Sequence, residues 1–142
     1  MGDLKLTYQV DGGDLVQAGE ASSQMKMTLK KLGLPPEIIR TASVCMYEGE
    51  INMVIHADGG RVEVEVGMDA ITIRLIDQGP GIPDVDRAME EGYSTAGDVA
   101  RDLGFGAGMG LPNMKRYSDE MRIDTTVGVG TTVTMRIDIN NG

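Results

Sequence analysis

The sequence predicts an α+β fold, a two-layer sandwich with helices on one face of a mixed β-sheet and a glycine-rich insertion in its second half. Three observations predict it. Five short segments alternate apolar and polar residues, the period of a half-buried strand. Two longer stretches between the first and second of these carry apolar residues at helical spacing, divided by Gly33 and Pro35-Pro36. Glycine makes up 20 of 142 residues, roughly twice the ~7% average, and many of these lie between Gly79 and Gly130.

The first strand is Leu4 to Val10, closed by an Asp11-Gly12-Gly13 turn. Asp14 then caps a helix from about Leu15 to Leu32, with Val16, Met25, Leu29 and Leu32 on its apolar face. A second helix runs from about Pro36 to Ala57 and turns Ile38, Ile39, Ala42, Cys45, Ile51 and Ile55 inward. Asp58-Gly59-Gly60 closes it. Arg61 to Gly67 and Ala70 to Asp77 are alternating strands joined by a hairpin turn at Met68-Asp69. A short helix is expected around Asp84 to Glu91, and another over Leu111 to Asp119. Met121 to Thr126 and Thr132 to Ile139 are the last two strands, joined through Gly128-Val129-Gly130. There is no internal repeat, and 1–142 reads as one domain.

Composition narrows the function. Hydrophobic residues make up 41% and charged residues 25% of the chain, which is globular and not disordered. A net charge of −9 gives no general attraction for nucleic acid or an anionic membrane. The first ten residues lack the apolar core of a signal peptide, and no run of about 18 apolar residues exists to span a bilayer. Cys45 is the single cysteine, so no intramolecular disulfide forms, in keeping with a reducing cytoplasm.

Four elements carry candidate chemistry. Glu48 and Asn52 are one helical turn apart, so a carboxylate and an amide share one face. Such a pair suits a general base beside an oxygen ligand for Mg²⁺, and equally suits two solvated side chains. Asp77-Gln78-Gly79-Pro80-Gly81-Ile82 follows a strand directly. A carboxylate there can accept a hydrogen bond from an exocyclic amine, with Gly79 and Gly81 admitting a flat ring; the same words also spell a plain turn. Gly104, Gly106, Gly108 and Gly110 alternate just before a helix. Backbone N–H groups so arranged cradle phosphates, and a flexible linker is the other reading. The stretch is neither a Walker loop nor a dinucleotide fingerprint, since no Gly-Lys-Ser/Thr follows and no strand leads into it. Finally, Gly128-Val129-Gly130-Thr131-Thr132 offers the Thr131 hydroxyl to a bound base or its water, or is a glycine hairpin.

In this order the four boxes resemble the superfamily that includes DNA gyrase, the heat-shock chaperone ninety, histidine kinases and the mismatch-repair ATPases, over about Ala42 to Ile139. This is the GHKL or Bergerat-fold group, with its histidine-kinase-like ATPase fold and ATP lid. Gly92-Tyr93-Ser94-Thr95, Gly108-Met109-Gly110-Leu111-Pro112, Lys115-Arg116 and Gly130-Thr131-Thr132 look closer still to the anti-sigma factors and the stressosome switch kinase. The resemblance implies a protein serine/threonine kinase using ATP and Mg²⁺. It makes Glu48 the general base and Asn52 the Mg²⁺ ligand. Asp77 becomes the partner of the adenine amine, supported by Gly79 and Gly81. Gly104, Gly106, Gly108 and Gly110 become the lid, and Thr131 the last-box threonine. The implied partner is a STAS-domain antagonist or a sigma factor, with dimerisation common in the group.

Some features depart from that pattern. Asp98 to Asp102 lengthens the lid with acidic residues, which sit awkwardly near phosphates. Lys115 or Arg116 would supply positive charge there, or both are surface residues. Glu50 adds a second carboxylate on a different face of the helix from Glu48. His56, the one histidine, lies inside the second helix and fits a structural role better than that of a phosphate acceptor. Two rival functions remain at this level: an ATP-gated binding protein that sequesters a sigma factor with little catalysis, and an isolated ATPase without a protein target.

Overall fold

The computed structural model describes residues 4–11, 19–56, 59–79, 81–82 and 110–139. Among these, strand β1 is Leu4–Asp11, helix α1 Glu20–Lys31 and helix α2 Pro36–His56. Strands β2 (Gly59–Val66) and β3 (Ala70–Asp77) follow, then helix α3 (Gly110–Tyr117) and strands β4 (Glu120–Thr126) and β5 (Gly130–Asp138). The expected start of the first helix at Leu15, its cap Asp14, the helix at Asp84 to Glu91 and most of the lid lie outside the described residues.

The strands form one sheet in the order β1-β2-β3-β5-β4. Every described pairing is antiparallel, which corrects the expectation of a mixed sheet. The reason is topological. A parallel neighbour needs a crossover, and here β5 returns beside β3 from a hairpin with β4 and so enters in the opposite direction. Gly67 N–H bonds the Ala70 carbonyl at 3.0 Å across the Met68-Asp69 turn, fixing the β2–β3 register at Val66 opposite Ile71.

The three described helices pack on one face. The inward residues of β5, Thr131, Val133, Met135 and Ile137, are buried, and the intervening ones are not. The outer face carries Arg61–Glu63, Arg122–Asp124 and Arg136–Glu120 ion pairs open to solvent. Such pairs contribute little each, so burial on the inner face holds the layers together. Methionine supplies much of that core. Met25, Met46, Met114 and Met135 are at most 1% exposed, and their unbranched chains fill the irregular gap between helix and sheet.

Local signals end the helices where the sequence places them. Gly33 takes φ 76° after α1, its N–H bonds the Lys30 carbonyl, and Leu34 N–H bonds the Leu29 carbonyl. That pair of bonds is the glycine-capped terminus in which the residue beyond the glycine also makes an apolar contact, and Leu34 packs against the core accordingly. Leu32, expected on the apolar face, is 48% exposed because the cap turns it outward. Gly49 lets α2 lie close on the sheet. A Cβ there would stand 2.5 Å from a methyl of Leu75.

Candidate functional site

The site lies where the inner face of the sheet changes character. Across β3, β5 and β4 the register aligns Ile73, Met135 and Met121, then Leu75, Val133 and Ile123, and last Asp77, Thr131 and Thr125. Two apolar rows therefore give way to one polar row at the end of the sheet. Nothing in strand propensity requires this, since the same period would put a third apolar row there.

The row is wired together. Asp77 Oδ1 accepts from Gly79 N–H at 2.9 Å and from Thr131 N–H at 3.2 Å. Among the described residues Oδ2 takes no hydrogen bond. The hydroxyls of Thr131 and Thr125 are 2.8 Å apart, and Thr125 Oγ1 accepts from Ile82 N–H at 2.9 Å. Thr131 is buried and Thr125 half-buried. The Asp77 loop is thus tied to the sheet at both ends.

Two glycines are obligatory in this arrangement. Gly130 has φ 153°, and a Cβ on it would lie 2.2 Å from the Asp77 carbonyl oxygen. Gly81 has φ 79°, and its Cβ would come 2.6 Å from the Thr126 carbonyl oxygen. Both positions are closed to a side chain by conformation and by space. Gly79, the third predicted glycine of the loop, contributes the N–H held by Asp77.

Helix α2 runs over this end of the sheet. Gly49 sits above Leu75, and the methyl of Met53 reaches Gly60, whose Cβ position also abuts the Asp77 backbone. Glu48 and Asn52, both half-buried, therefore advance along the helix toward the Asp77 end. Glu48 meets α3 through the Asn113 side chain, and the Cys45 thiol, on the same side of α2, lies 4.0 Å from the Met114 carbonyl oxygen. Burial pushes the Glu48 carboxyl up from its ordinary range, opposed by a hydrogen bond from the Asn113 side chain that favours the carboxylate. Burial, with help from the Asp119 and Glu48 charges, also pushes the Cys45 thiol up to about 12, so this cysteine is a core residue and no nucleophile.

Of the predicted site residues, Asp77, Gly79, Gly81 and Thr131 lie at this end of the sheet, while Glu48 and Asn52 lie one turn apart on α2. Gly110 opens α3. Gly104, Gly106 and Gly108, with the acidic stretch Asp98 to Asp102, lie outside the described residues. Lys115 and Arg116 are both exposed in the last turn of α3. His56 closes α2. Sequence reasoning passed over Thr125 and Asn113. The signal for Thr125 was present as a polar residue on the inward phase of β4, after Met121 and Ile123; Asn113 has none, because its partner is 65 positions away.

Glu50 has a different role from Glu48. It is 2% exposed and accepts four hydrogen bonds at the start of α1. Its Oε2 takes Gly19 N–H (2.9 Å) and Ala21 N–H (3.2 Å), and its Oε1 takes Ser22 N–H (3.0 Å) and the Ser22 hydroxyl (2.7 Å). A carboxylate from one helix therefore caps the N-terminus of another, where free N–H groups and the helix dipole both favour negative charge.

The family of histidine kinase-, DNA gyrase B-, and HSP90-like ATPases matches residues 45–141. The serine/threonine-protein kinase RsbT of Bacillus subtilis is 37% identical over 86 residues, 58% of this chain and 59% of that protein. The chain thus spans less than two thirds of RsbT's length in that match. An anti-sigma F factor of Clostridium beijerinckii is 31% identical over 129 residues, 85% of this chain and 87% of that protein. Another from Caldanaerobacter subterraneus is 33% identical over 109 residues, covering 72% of this chain and 73% of that protein. With that match over residues 45–141 and its antiparallel sheet under the three described helices, the chain belongs to the histidine kinase-, DNA gyrase B- and HSP90-like ATPase family and is similar within it to the anti-sigma F factors.

Proposed function

We propose that this protein is an ATP-dependent serine/threonine protein kinase of the anti-sigma regulatory type, built as one domain over 1–142 and working in the cytoplasm. The observation that carries the reading is the polar row Asp77–Thr131–Thr125 under α2. Asp77 spends one carboxylate oxygen on the loop and keeps the other for a donor such as the adenine amine. Gly81 and Gly130 keep that approach clear of side chains.

The residues fit a nucleotide with its metal. Asn52 offers an amide oxygen one turn from Glu48, the hard ligand that Mg²⁺ prefers alongside phosphate oxygens and water. Bound there, Mg²⁺ would neutralise charge on the phosphates. Glu48 would accept the proton of a serine or threonine hydroxyl as that oxygen bonds to the terminal phosphorus of ATP and the bond to ADP breaks. Its partial burial, which makes the carboxylate more basic than an exposed one, suits that task. Gly104, Gly106, Gly108 and Gly110 would close over the phosphates as a lid. The partner would be a STAS-domain antagonist or a sigma factor, and the names of the relatives support a regulator that both binds and phosphorylates. The anti-sigma F factors match over most of this chain, which favours sigma-factor binding as a second role of the same ATP-bound state.

The test is calorimetry with ATP and ADP, with and without Mg²⁺, on the wild type and Asp77→Asn. The substituted side chain would present an amide to the donors and lose a charge-assisted bond worth roughly 1.5–3 kcal/mol, so affinity should drop at least tenfold. Equal binding by the two proteins would sink the adenine pocket.

A further inference from the structure

Helix α1 has two unlike faces. Ala21, Ser22, Met25 and Leu29 are buried, and Glu50 holds the first turn. The opposite face carries Ser23, Lys26, Met27, Lys30 and Lys31, all exposed. Spacings of three and four make these residues neighbours on the helix surface. Met27 has Ser23 on the turn before it and Lys30 and Lys31 on the turn after, with Lys26 alongside. It is 60% exposed, an apolar side chain with lysines around it.

The charge of this face opposes that of the molecule. The chain carries −9, yet residues 21–36 hold three lysines and no aspartate or glutamate. On the outer face of the sheet Arg61, Arg122 and Arg136 each meet a carboxylate within 3.3 Å. Among the described residues Lys26, Lys30 and Lys31 form no ion pair. Lys26 and Lys30, four apart, repel each other. Lysines in a last turn complement the helix dipole, which accounts for Lys30 and Lys31. It does not account for Lys26, a turn earlier, or for Met27.

We propose that this face of α1 is a docking surface for an acidic segment of a protein partner, which sets an apolar side chain on Met27 and carboxylates against the surrounding lysines. The inference adds a contact site to the regulatory role proposed above and does not depend on the adenine pocket. Charge complementarity selects an acidic partner, because exposed lysines steer carboxylates and fix their register. Met27 selects protein over nucleic acid. A methionine at the centre of the patch adapts to an apolar partner surface and offers nothing to a phosphate backbone. Three lysines also neutralise few phosphates on a chain that repels polyanions overall. The buried residues of α1 and the Glu50 cap hold the helix in place, so docking orders no backbone here.

The experiment is fluorescence anisotropy on the full chain without nucleotide, at low and at physiological salt. The probes are a labelled helical peptide with glutamates on either side of a leucine stripe, the same peptide with glutamine for glutamate, and a single-stranded oligonucleotide of equal charge. The wild type should prefer the glutamate peptide to the other two and bind it more weakly as salt rises. Lys26→Glu with Lys30→Glu should weaken that binding about tenfold or more. Met27→Ser should weaken it about fivefold and leave the salt dependence unchanged. Circular dichroism melts establish that each variant is folded, and Lys26→Gln with Lys30→Gln serves where the glutamates disturb the helix. No preference for the glutamate peptide in the wild type overturns the inference, as does equal binding by the wild type and the glutamine pair. Self-association in sedimentation that Lys26→Glu with Lys30→Glu abolishes also overturns it, because a second copy would then be the occupant. Asp77→Asn should bind the peptide as the wild type does, so the nucleotide pocket and this surface fail separately.

Discussion

The two flanks of helix α2 carry carboxylates two residues apart in contrasting surroundings. On the flank facing α1, Glu50 is buried and accepts four hydrogen bonds, three of them from backbone amides. On the flank facing α3, Glu48 is half-buried, and the Asn113 side chain is its hydrogen-bond partner. A carboxylate that has filled its acceptor sites with helix amides is fixed and stabilising. One that has a single side-chain partner among the described residues, in a partly dry corner, is open to a proton. What separates structure from chemistry here is therefore the remaining hydrogen-bonding capacity, and residue type says nothing about it.

The contrast breaks most sharply at Glu48. Glu48→Gln is expected to cut phosphoryl transfer to a partner protein by about 10²–10⁴-fold, measured with labelled ATP, while the melting temperature stays level or rises. The sign follows from linkage. Burial raises the Glu48 pKa in the folded state, so the folded protein loses stability as pH rises and the carboxylate ionises, and a neutral glutamine removes that loss. A large fall in melting temperature would make Glu48 another structural carboxylate.

Glu50→Gln should do the reverse. An amide NH₂ would face backbone donors, leaving at least one of them unsatisfied and removing charge from a helix N-terminus. The expected cost is about 3 kcal/mol of stability, or roughly a 10 °C drop in melting temperature for a chain of this size. Nucleotide affinity at a temperature where the variant is folded should hardly change, and a selective loss of ATP binding would show that this flank also reaches the site.

The smallest effect sharpens the comparison on the α3 flank. The Asn113 hydrogen bond favours the Glu48 carboxylate, so Asn113→Ala should let burial raise that pKa further. A base works only above its pKa, so the acid limb of the transfer rate against pH should move to higher pH, with the plateau little altered. A limb that stays in place would mean that Asn113 does not set the protonation of Glu48.

Much of this protein is legible along the chain. The alternation in β2, β3 and β5 marks their inward residues, the Gly33 stop and the Pro36 start of α2 stand as read, and the spacing of Glu48 and Asn52 puts them on one helix face. These are local matters, decided by backbone sterics and by periodicity within one element. Pairing direction is not local, and the sheet read as mixed is antiparallel because the hairpin of β4 and β5 docks on β3 from the far side. The same limit hid the long-range hydrogen bonds. Asp77 finds Thr131 across 54 positions, and Glu50 finds Ser22 across 28. Thr125 reads as one more strand threonine until the register lays it beside Thr131. Sequence by itself determined which residues face inward and which boxes hold glycine, because those follow from a period of two or about 3.6 and from the need for a backbone without a Cβ. Only the tertiary structure decided which of two neighbouring glutamates is held as a cap and which has a single side-chain partner among the described residues, because hydrogen-bond donors arrive from elements far away in the chain.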